Sequence, residues 1–422
     1  MDAFTELIFG QKRYELEEML RKPYVERQMA PIPLDNELIK VIMGPRRSGK
    51  SFYGTHQMQA LGDFAYVNFE DTRLTKFHSF EHLAQALQEV YGDTKRVLID
   101  EIQNLGKWEE LTLFFQRRGY NVFITGSNAK LLSSELTTKL TGRFSLIQIW
   151  PFTFREYLLA QGANPHLTSL ELQQNLASYL RVGGFPTILV GNVNHVSYLK
   201  DLYDSILLKD VRNRFSIRKP ALLEDFGRYL MANNASELSY SNVAKKLKCA
   251  TDTLITYFSY LDEAFLFFAI PRYSPKLSDQ VVYNKKVYCI DPGMVQVNGF
   301  RVLDNEDKLY ESAVAIRLHQ LELAGKIKVF YWKSQENYEV DFVVKKNLEE
   351  FDLIQVSLLV EDPVTMLREI RALIRGSQDF SSDNLLVLTK FFESIESKTW
   401  QGITKKIQFI PLYKWLVGYS FV

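Results

Sequence analysis

Cysteine is scarce: the 422 residues include two, Cys249 and Cys289. That excludes a disulfide scaffold and suits a reducing cytosol, so a cytoplasmic location is expected. Each thiol is read as a small core hydrophobe. No apolar run approaches the ~18 residues that a membrane-spanning helix needs, so no membrane partner is expected. The first residues include Asp2, Glu6, Glu15, Glu17 and Glu18 rather than a basic-then-apolar leader. Charge of one sign is not in excess either. With 51 Lys and Arg against 50 Asp and Glu, the net charge is +1, so any basic surface must be local. Solenoid-length repeats and low-complexity tracts are lacking. What is there is 46% hydrophobic content, ample for real cores, in a chain long enough for two to four domains.

The rest of the chain is organised around Val41 to Tyr53, VIMGPRRSGKSFY. Leu38 to Met43 reads as a buried strand. Gly44-Pro45-Arg46-Arg47-Ser48-Gly49-Lys50-Ser51 fits G-x-x-x-x-G-K-[ST], and helix-compatible sequence follows from Phe52. Strand, glycine-bounded turn and helix N-terminus are the parts of a phosphate loop. Gly44 and Gly49 let successive N–H groups converge on an anion, and the helix adds its positive end. Gly44 through Phe52 are therefore the nucleotide-binding candidates, for ATP or ADP. Lys50 would reach the β- and γ-phosphates, and the Ser51 hydroxyl would bind Mg²⁺.

Arg96-Val97-Leu98-Ile99-Asp100-Glu101 supplies the acids. A parallel strand buried on both faces must be apolar throughout, and its C-terminal edge would deliver Asp100 to the Mg²⁺ shell. Glu101 would orient and deprotonate the attacking water. Asn121 to Asn128 reads as the next strand and its polar end, and the strand between the two motif strands would sense the γ-phosphate. Thr125, Ser127 and Asn128 are its candidates; Asn128 also fits a helix N-cap. Arg143, just before strand Ser145 to Ile149, fits either an arginine finger offered by a neighbouring subunit or a surface salt bridge.

These residues, with Pro151-Phe152-Thr153-Phe154-Arg155-Glu156-Tyr157, Gly183-Gly184-Phe185-Pro186 and Leu208-Lys209-Asp210-Val211, carry a resemblance. So do Leu309 to Ala315, Tyr331-Trp332 and Glu339 to Val343. The chain resembles a prokaryotic AAA+-type ATPase family, an AAA domain followed by a domain of unknown function numbered 4143. The resemblance covers nearly the whole chain and implies ATP hydrolysis and a C-terminal restriction-endonuclease-like fold.

The expected parts follow in order. Residues 1–36 carry helical spacing (Tyr14, Leu16, Met19, Leu20) broken by Pro23, Pro31 and Pro33, as an N-terminal helical arm. Residues 37–150 form the ATPase core. Residues 151–219 form a helical lid, in which Arg181 is either a second phosphate sensor or a surface charge. Residues 220–296 read as a winged helix: helices Ala221 to Met231, Ser241 to Leu247 (Ser241 as N-cap) and Thr251 to Glu263, then strands Phe265 to Ile270 and Lys285 to Ile290. Its recognition helix shows Thr251, Asp252, Thr253, Thr256 and Ser259, without Arg or Lys, which speaks against base-specific reading. Lys245, Lys246, Lys248, Arg272, Lys276, Lys285 and Lys286 are candidates for phosphate contact; packing is the alternative use of the module.

Residues 297–422 resemble the endonuclease-like fold, in which an Asp and a Glu-x-Lys pair hold Mg²⁺ and assist water. Asp341 and Glu311 match the acids, but Gln355-Val356-Ser357 stands where Glu-x-Lys is needed, so an inactive nuclease is expected. The fold class is thus α/β: a P-loop, AAA+-type parallel sheet with helical lid, winged helix and endonuclease-like domain. The expected function is Mg²⁺-dependent ATP hydrolysis coupled to conformational change, acting on duplex or branched DNA as a remodeler or motor, as a homo-oligomer. A nucleotide-driven signalling or defence switch and an active nuclease are the alternatives.

Overall fold

Ile39–Met43 (β1) is buried at all five positions, as a strand covered on both faces must be. The computed structural model describes residues 2–29, 32–127, 140, 142–163, 167–191, 193–299, 306–347, 349–358 and 362–418. The chain forms two compact units, Met1–Phe152 with Glu263–Phe265, and Thr153–Asp262 with Leu266–Val422.

In the first unit, β1 is joined by Ala65–Asn68 (β2), Arg96–Asp100 (β3), Asn121–Gly126 (β4) and Phe144–Gln148 (β5). All pair in parallel, in the order β2-β3-β4-β1-β5. The strand after the acids thus lies between the two motif strands, as expected. Helices Lys50–Leu61, Phe80–Tyr91 and Trp108–Arg117 connect β1 to β2, β2 to β3 and β3 to β4. Ile42, Tyr53, Met58, Tyr66, Leu98, Phe123 and Ile147 share one core cluster with Leu16 of the N-terminal segment. That segment is helical over Ala3–Gln11, Lys12–Leu16 and Glu17–Arg21, with a π-helical middle turn. Gln11 clasps the β2 edge: its Nε2 donates to the Asn68 carbonyl (2.8 Å), and its Oε1 accepts from the Asn68 amide (3.0 Å). Edge-strand amides left open would invite foreign pairing, and this contact closes one.

The second unit begins with helices Phe154–Ala160, Ser169–Val182 and His195–Ser205. Each of the first two is opened by a threonine capping box (Thr153 with Glu156, Thr168 with Glu171). Gly183 ends Ser169–Val182 at φ +80°, and a Cβ there would lie 2.2 Å from Asp291 Oδ1. The buried Asp291 carboxylate accepts from the Gly184 amide (2.7 Å) and, as N-cap of Pro292–Asn298, from the Met294 amide (2.9 Å). The Gly183-Gly184 pair is therefore a packing device.

Next come helix Pro220–Ala232, strand Ser236–Leu238 (β6), helices Tyr240–Leu247 and Thr251–Glu263, and strands Phe267–Ile270 (β7) and Lys285–Cys289 (β8). The strands form an antiparallel sheet ordered β6-β8-β7. Ser241 is not the cap that the sequence suggests: it lies inside the first turn, and Ser239 precedes the helix without a side-chain cap bond.

Helix Glu306–Leu323 leads into a six-stranded mixed sheet ordered β13-β14-β12-β11-β10-β9. Its strands are Lys328–Lys333 (β9), Glu339–Lys345 (β10), Phe351–Val356 (β11), Asn384–Thr389 (β12), Ser394–Trp400 (β13) and Ile403–Pro411 (β14). Helix Pro363–Asp379 covers one face, where Gly376 approaches Val340 and Leu353. Trp332, Val340, Leu353, Leu373, Val387, Ile407 and Phe409 form the core. Among the described residues, no helix is long and apolar enough to cross a membrane.

Candidate functional site

The loop after β1 turns through three left-handed or glycine-only conformations, at Gly44 (φ +148°), Arg47 (φ +65°) and Gly49 (φ +93°). A Cβ on Gly44 would lie 1.9 Å from the Ile149 carbonyl oxygen, so no side chain fits there. Gly49 precedes helix Lys50–Leu61 and offers no side-chain cap. The first amides of that helix have no partner within it and form its positive end, which suits an anion. Lys50 is buried, and its Nζ donates to the Pro45 carbonyl at 2.9 Å. Ser48 Oγ is buried and has no hydrogen-bond partner among the described residues. A buried hydroxyl left without a partner is costly, and phosphate oxygen is an acceptor that fits it. Arg27 holds the loop from the N-terminal segment. Its guanidinium donates to the Ser48 and Trp150 carbonyls, the latter at 3.0 Å, and lies over the Phe152 ring at 4.4 Å.

Asp100 ends β3 with 2% of its surface exposed. Three hydroxyls converge on it. Ser51 Oγ donates to Oδ1 at 2.9 Å, Thr125 Oγ1 donates to the same oxygen, and Tyr66 OH donates to Oδ2 at 3.1 Å. Burial first, then the neighbouring Glu101 carboxylate, push the Asp100 carboxyl up to about 6 against the pull of those hydroxyls. Thr125 Oγ1 also accepts from the Glu101 amide at 3.1 Å, so one side chain of β4 orders both acids. Glu101 itself sits at φ +48°, ψ +46°, a left-handed conformation costing on the order of 1 kcal/mol or more for a non-glycine residue. Its Oε2 accepts from Gln103 Nε2, which also lies 3.5 Å from Ser127 Oγ.

Hard oxygen donors suit Mg²⁺, which usually takes one or two protein ligands beside substrate phosphates. Ser51 and Asp100 fit that need. Among the described residues, no group of three or more His, Cys, Asp and Glu could hold a metal ion by itself.

Lys50, Ser51, Asp100, Glu101 and Thr125 thus come together around one loop. Asn128 lies outside the described residues. Arg143 is exposed, and its carbonyl accepts from the Ile39 amide at 2.8 Å. Arg181 is exposed in the last turn of its helix. Sequence reasoning misses Arg27, Tyr66 and Gln103. For Tyr66 a signal exists: a tyrosine in a fully buried strand needs a partner for its hydroxyl.

In the second unit, Lys245, Lys246, Lys248, Lys276 and Lys285 are exposed. Arg272 is turned to other work, donating to the Lys333 carbonyl at 2.5 Å and lying over the Tyr283 ring at 4.4 Å. Lys286 cannot serve as a phosphate contact: it is buried and ion-paired with Glu311, Glu339 and Asp341. Gln355, at the expected metal-ligand position, instead accepts from the Asp341 amide (3.2 Å) and donates to Glu369.

Comparison with known proteins agrees with the loop geometry. A family model described as an AAA domain matches residues 36–158. A second, a domain of unknown function (DUF8612), matches residues 173–304; the resemblance read from the sequence had pointed to the region numbered 4143. An uncharacterized protein of Methanocaldococcus jannaschii, MJ1544, is 30% identical over 420 residues, 95% of this chain and 93% of that one. An uncharacterized protein of Haemophilus influenzae is 28% identical, over 86% of this chain and 92% of its own. Among solved structures, the Walker-type ATPase PABY2304 of Pyrococcus abyssi is 16% identical. It covers 69% of this chain and 96% of its own length, with a TM-score of 0.39.

Proposed function

The chain belongs to the family that includes MJ1544 of Methanocaldococcus jannaschii and carries an AAA-type ATPase domain, and on that premise we propose that it hydrolyses ATP with Mg²⁺. The observation that supports this most is the 2.9 Å contact from Ser51 Oγ to Asp100 Oδ1, which joins the phosphate loop to the acid strand. Lys50 and the loop amides bind the β- and γ-phosphates and offset their charge. Ser51 and Asp100 would hold Mg²⁺, which neutralises charge on phosphate oxygens. Glu101 takes the proton of the attacking water. Arg143 of a neighbouring copy would complete the site, which makes the protein a homo-oligomer when active. Asn128 stands as the γ-phosphate sensor. The test is nucleotide affinity with and without Mg²⁺. Wild type binds ATP and Lys50→Ala does not; equal binding by both would remove the loop from its role.

We read β6 to β8 with their helices as a winged helix, because helix, strand, two helices and two strands is its order. The exposed lysines at 245, 246, 248, 276 and 285 support a reading in which nucleotide-driven change acts on duplex or branched DNA. Helix Thr251–Glu263 exposes no Arg or Lys, so contact would be to phosphates rather than bases. The six-stranded sheet is read as an endonuclease-like fold without cleavage chemistry, given Gln355 and Ser357. A signalling or defence switch would instead show slow turnover and no response to DNA.

A further inference from the structure

The most completely built polar cluster away from the phosphate loop surrounds Lys286. The residue projects from β8 with 5% of its side chain exposed. Its Nζ lies 3.1 Å from Glu311 Oε1, 3.0 Å from Asp341 Oδ1 and 2.8 Å from Glu339 Oε1. Glu311 comes from helix Glu306–Leu323; Glu339 and Asp341 stand two apart on β10 and so share a face. All three carboxylates have further contacts, Glu339 with Lys333 Nζ on β9. Tyr288 OH donates to Glu311 Oε1 at 2.7 Å, and the Val356 amide donates to Asp341 Oδ2 at 3.0 Å.

Carboxylates of three residues converge on one point, hard oxygen donors of the kind a divalent cation takes, though spaced as they stand around the ammonium they would not hold one. Here the point holds nitrogen, at the distances of charge-assisted hydrogen bonds rather than of metal–oxygen bonds. An ammonium has three protons, and the cluster offers three carboxylates, one for each. Lys333 Nζ lies 3.7 Å from Glu339 Oε2, so two ammoniums face three carboxylates and one negative charge remains in excess.

We propose that Lys286 is the resident cation of a carboxylate site, tethered by the chain, and that a divalent ion enters this site only when the ammonium is removed. Its nitrogen ties β8 to β10 and to helix Glu306–Leu323 as a structural metal would. The wild-type site takes no Mg²⁺, independently of Gln355 and Ser357.

The test uses the full chain without nucleotide, with Mn²⁺ binding read by electron paramagnetic resonance and unfolding followed with and without EDTA. Wild type is expected to bind no Mn²⁺ that Asp341→Asn removes, and its unfolding temperature is indifferent to EDTA. Lys286→Met, which keeps most of the stem, is expected to melt several degrees lower in EDTA. It should bind one Mn²⁺ per chain and recover stability with Mn²⁺ or Ca²⁺; adding Asp341→Asn abolishes both. The proposal is overturned if wild type binds Mn²⁺ through Asp341, or if Lys286→Met folds and ignores the metal. Should Lys286→Met not fold, the pair Lys286→Met with Glu311→Gln removes one charge of each sign and is expected to fold. Failure of that pair would overturn the proposal as well.

Discussion

Gln103 Nε2 donates a hydrogen bond to Glu101 Oε2 across a single 3₁₀ turn, so the acid assigned to activate water has an oxygen engaged by an amide. A carboxylate oxygen so engaged is held back from a water molecule. Gln103→Ala is therefore expected to raise basal ATP turnover a few-fold with little change in KM. Steady-state kinetics check this, and a fall in kcat would show that Gln103 instead positions Glu101 for reaction.

Asp291 gives a pH dependence with a definite sign. Burial raises its carboxyl from 3.8 to about 6 against the pull of the Gly184 amide and its neighbours. A folded-state pKa above the unfolded one means that the native state holds the extra proton between those values. Stability from this group is present below about 4 and lost as pH rises through about 6. At 1.36 kcal/mol per unit, the loss is about 3 kcal/mol. Denaturant unfolding of wild type and Asp291→Asn at pH 4.5 and 7 is the check. The difference between the two should move in favour of the variant as pH rises. A constant difference would place the Asp291 pKa near that of an exposed acid.

Gly183→Ala tests the same joint from the other side. Its Cβ would meet Asp291 Oδ1 at 2.2 Å, at a φ of +80° that L side chains avoid. Strain and overlap together should cost about 2–4 kcal/mol. The unfolding temperature should fall by roughly 5–10 °C. An unchanged melting curve would mean that this backbone relaxes freely.

The DNA reading is tested at the exposed lysines. Lys245→Glu with Lys246→Glu should weaken binding to duplex or forked DNA and flatten the salt dependence by about two units of slope. Gel shift or anisotropy across a salt series measures both. A wild-type protein that shifts no labelled DNA at low salt would rule the reading out.

The phosphate loop was legible because its requirements are local. Gly44 and Gly49 mark backbone that only glycine tolerates well, and Val97-Leu98-Ile99 before Asp100 marks a strand buried on both faces. Helix Thr251–Glu263 was legible through its core spacing, and strands β7 and β8 through their apolar runs. Strands β13 and β14 were not: Ser394–Trp400 is half-covered at best and its sequence is largely polar, so no apolar run announces it. Arg27, Tyr66 and Gln103 act on residues 2 to 123 positions away, and composition carries no trace of such pairings. Lys285 and Lys286 read alike as neighbouring charges. The alternation of a strand turns the first outward and the second into a carboxylate cluster, a distinction that period two could have raised.

The most direct measurement of the central claim is ATP turnover by Glu101→Gln beside its ATP affinity. The account predicts affinity within a few-fold of wild type and turnover reduced by about 10²–10⁴-fold. Turnover at the wild-type rate, with binding intact, would contradict it.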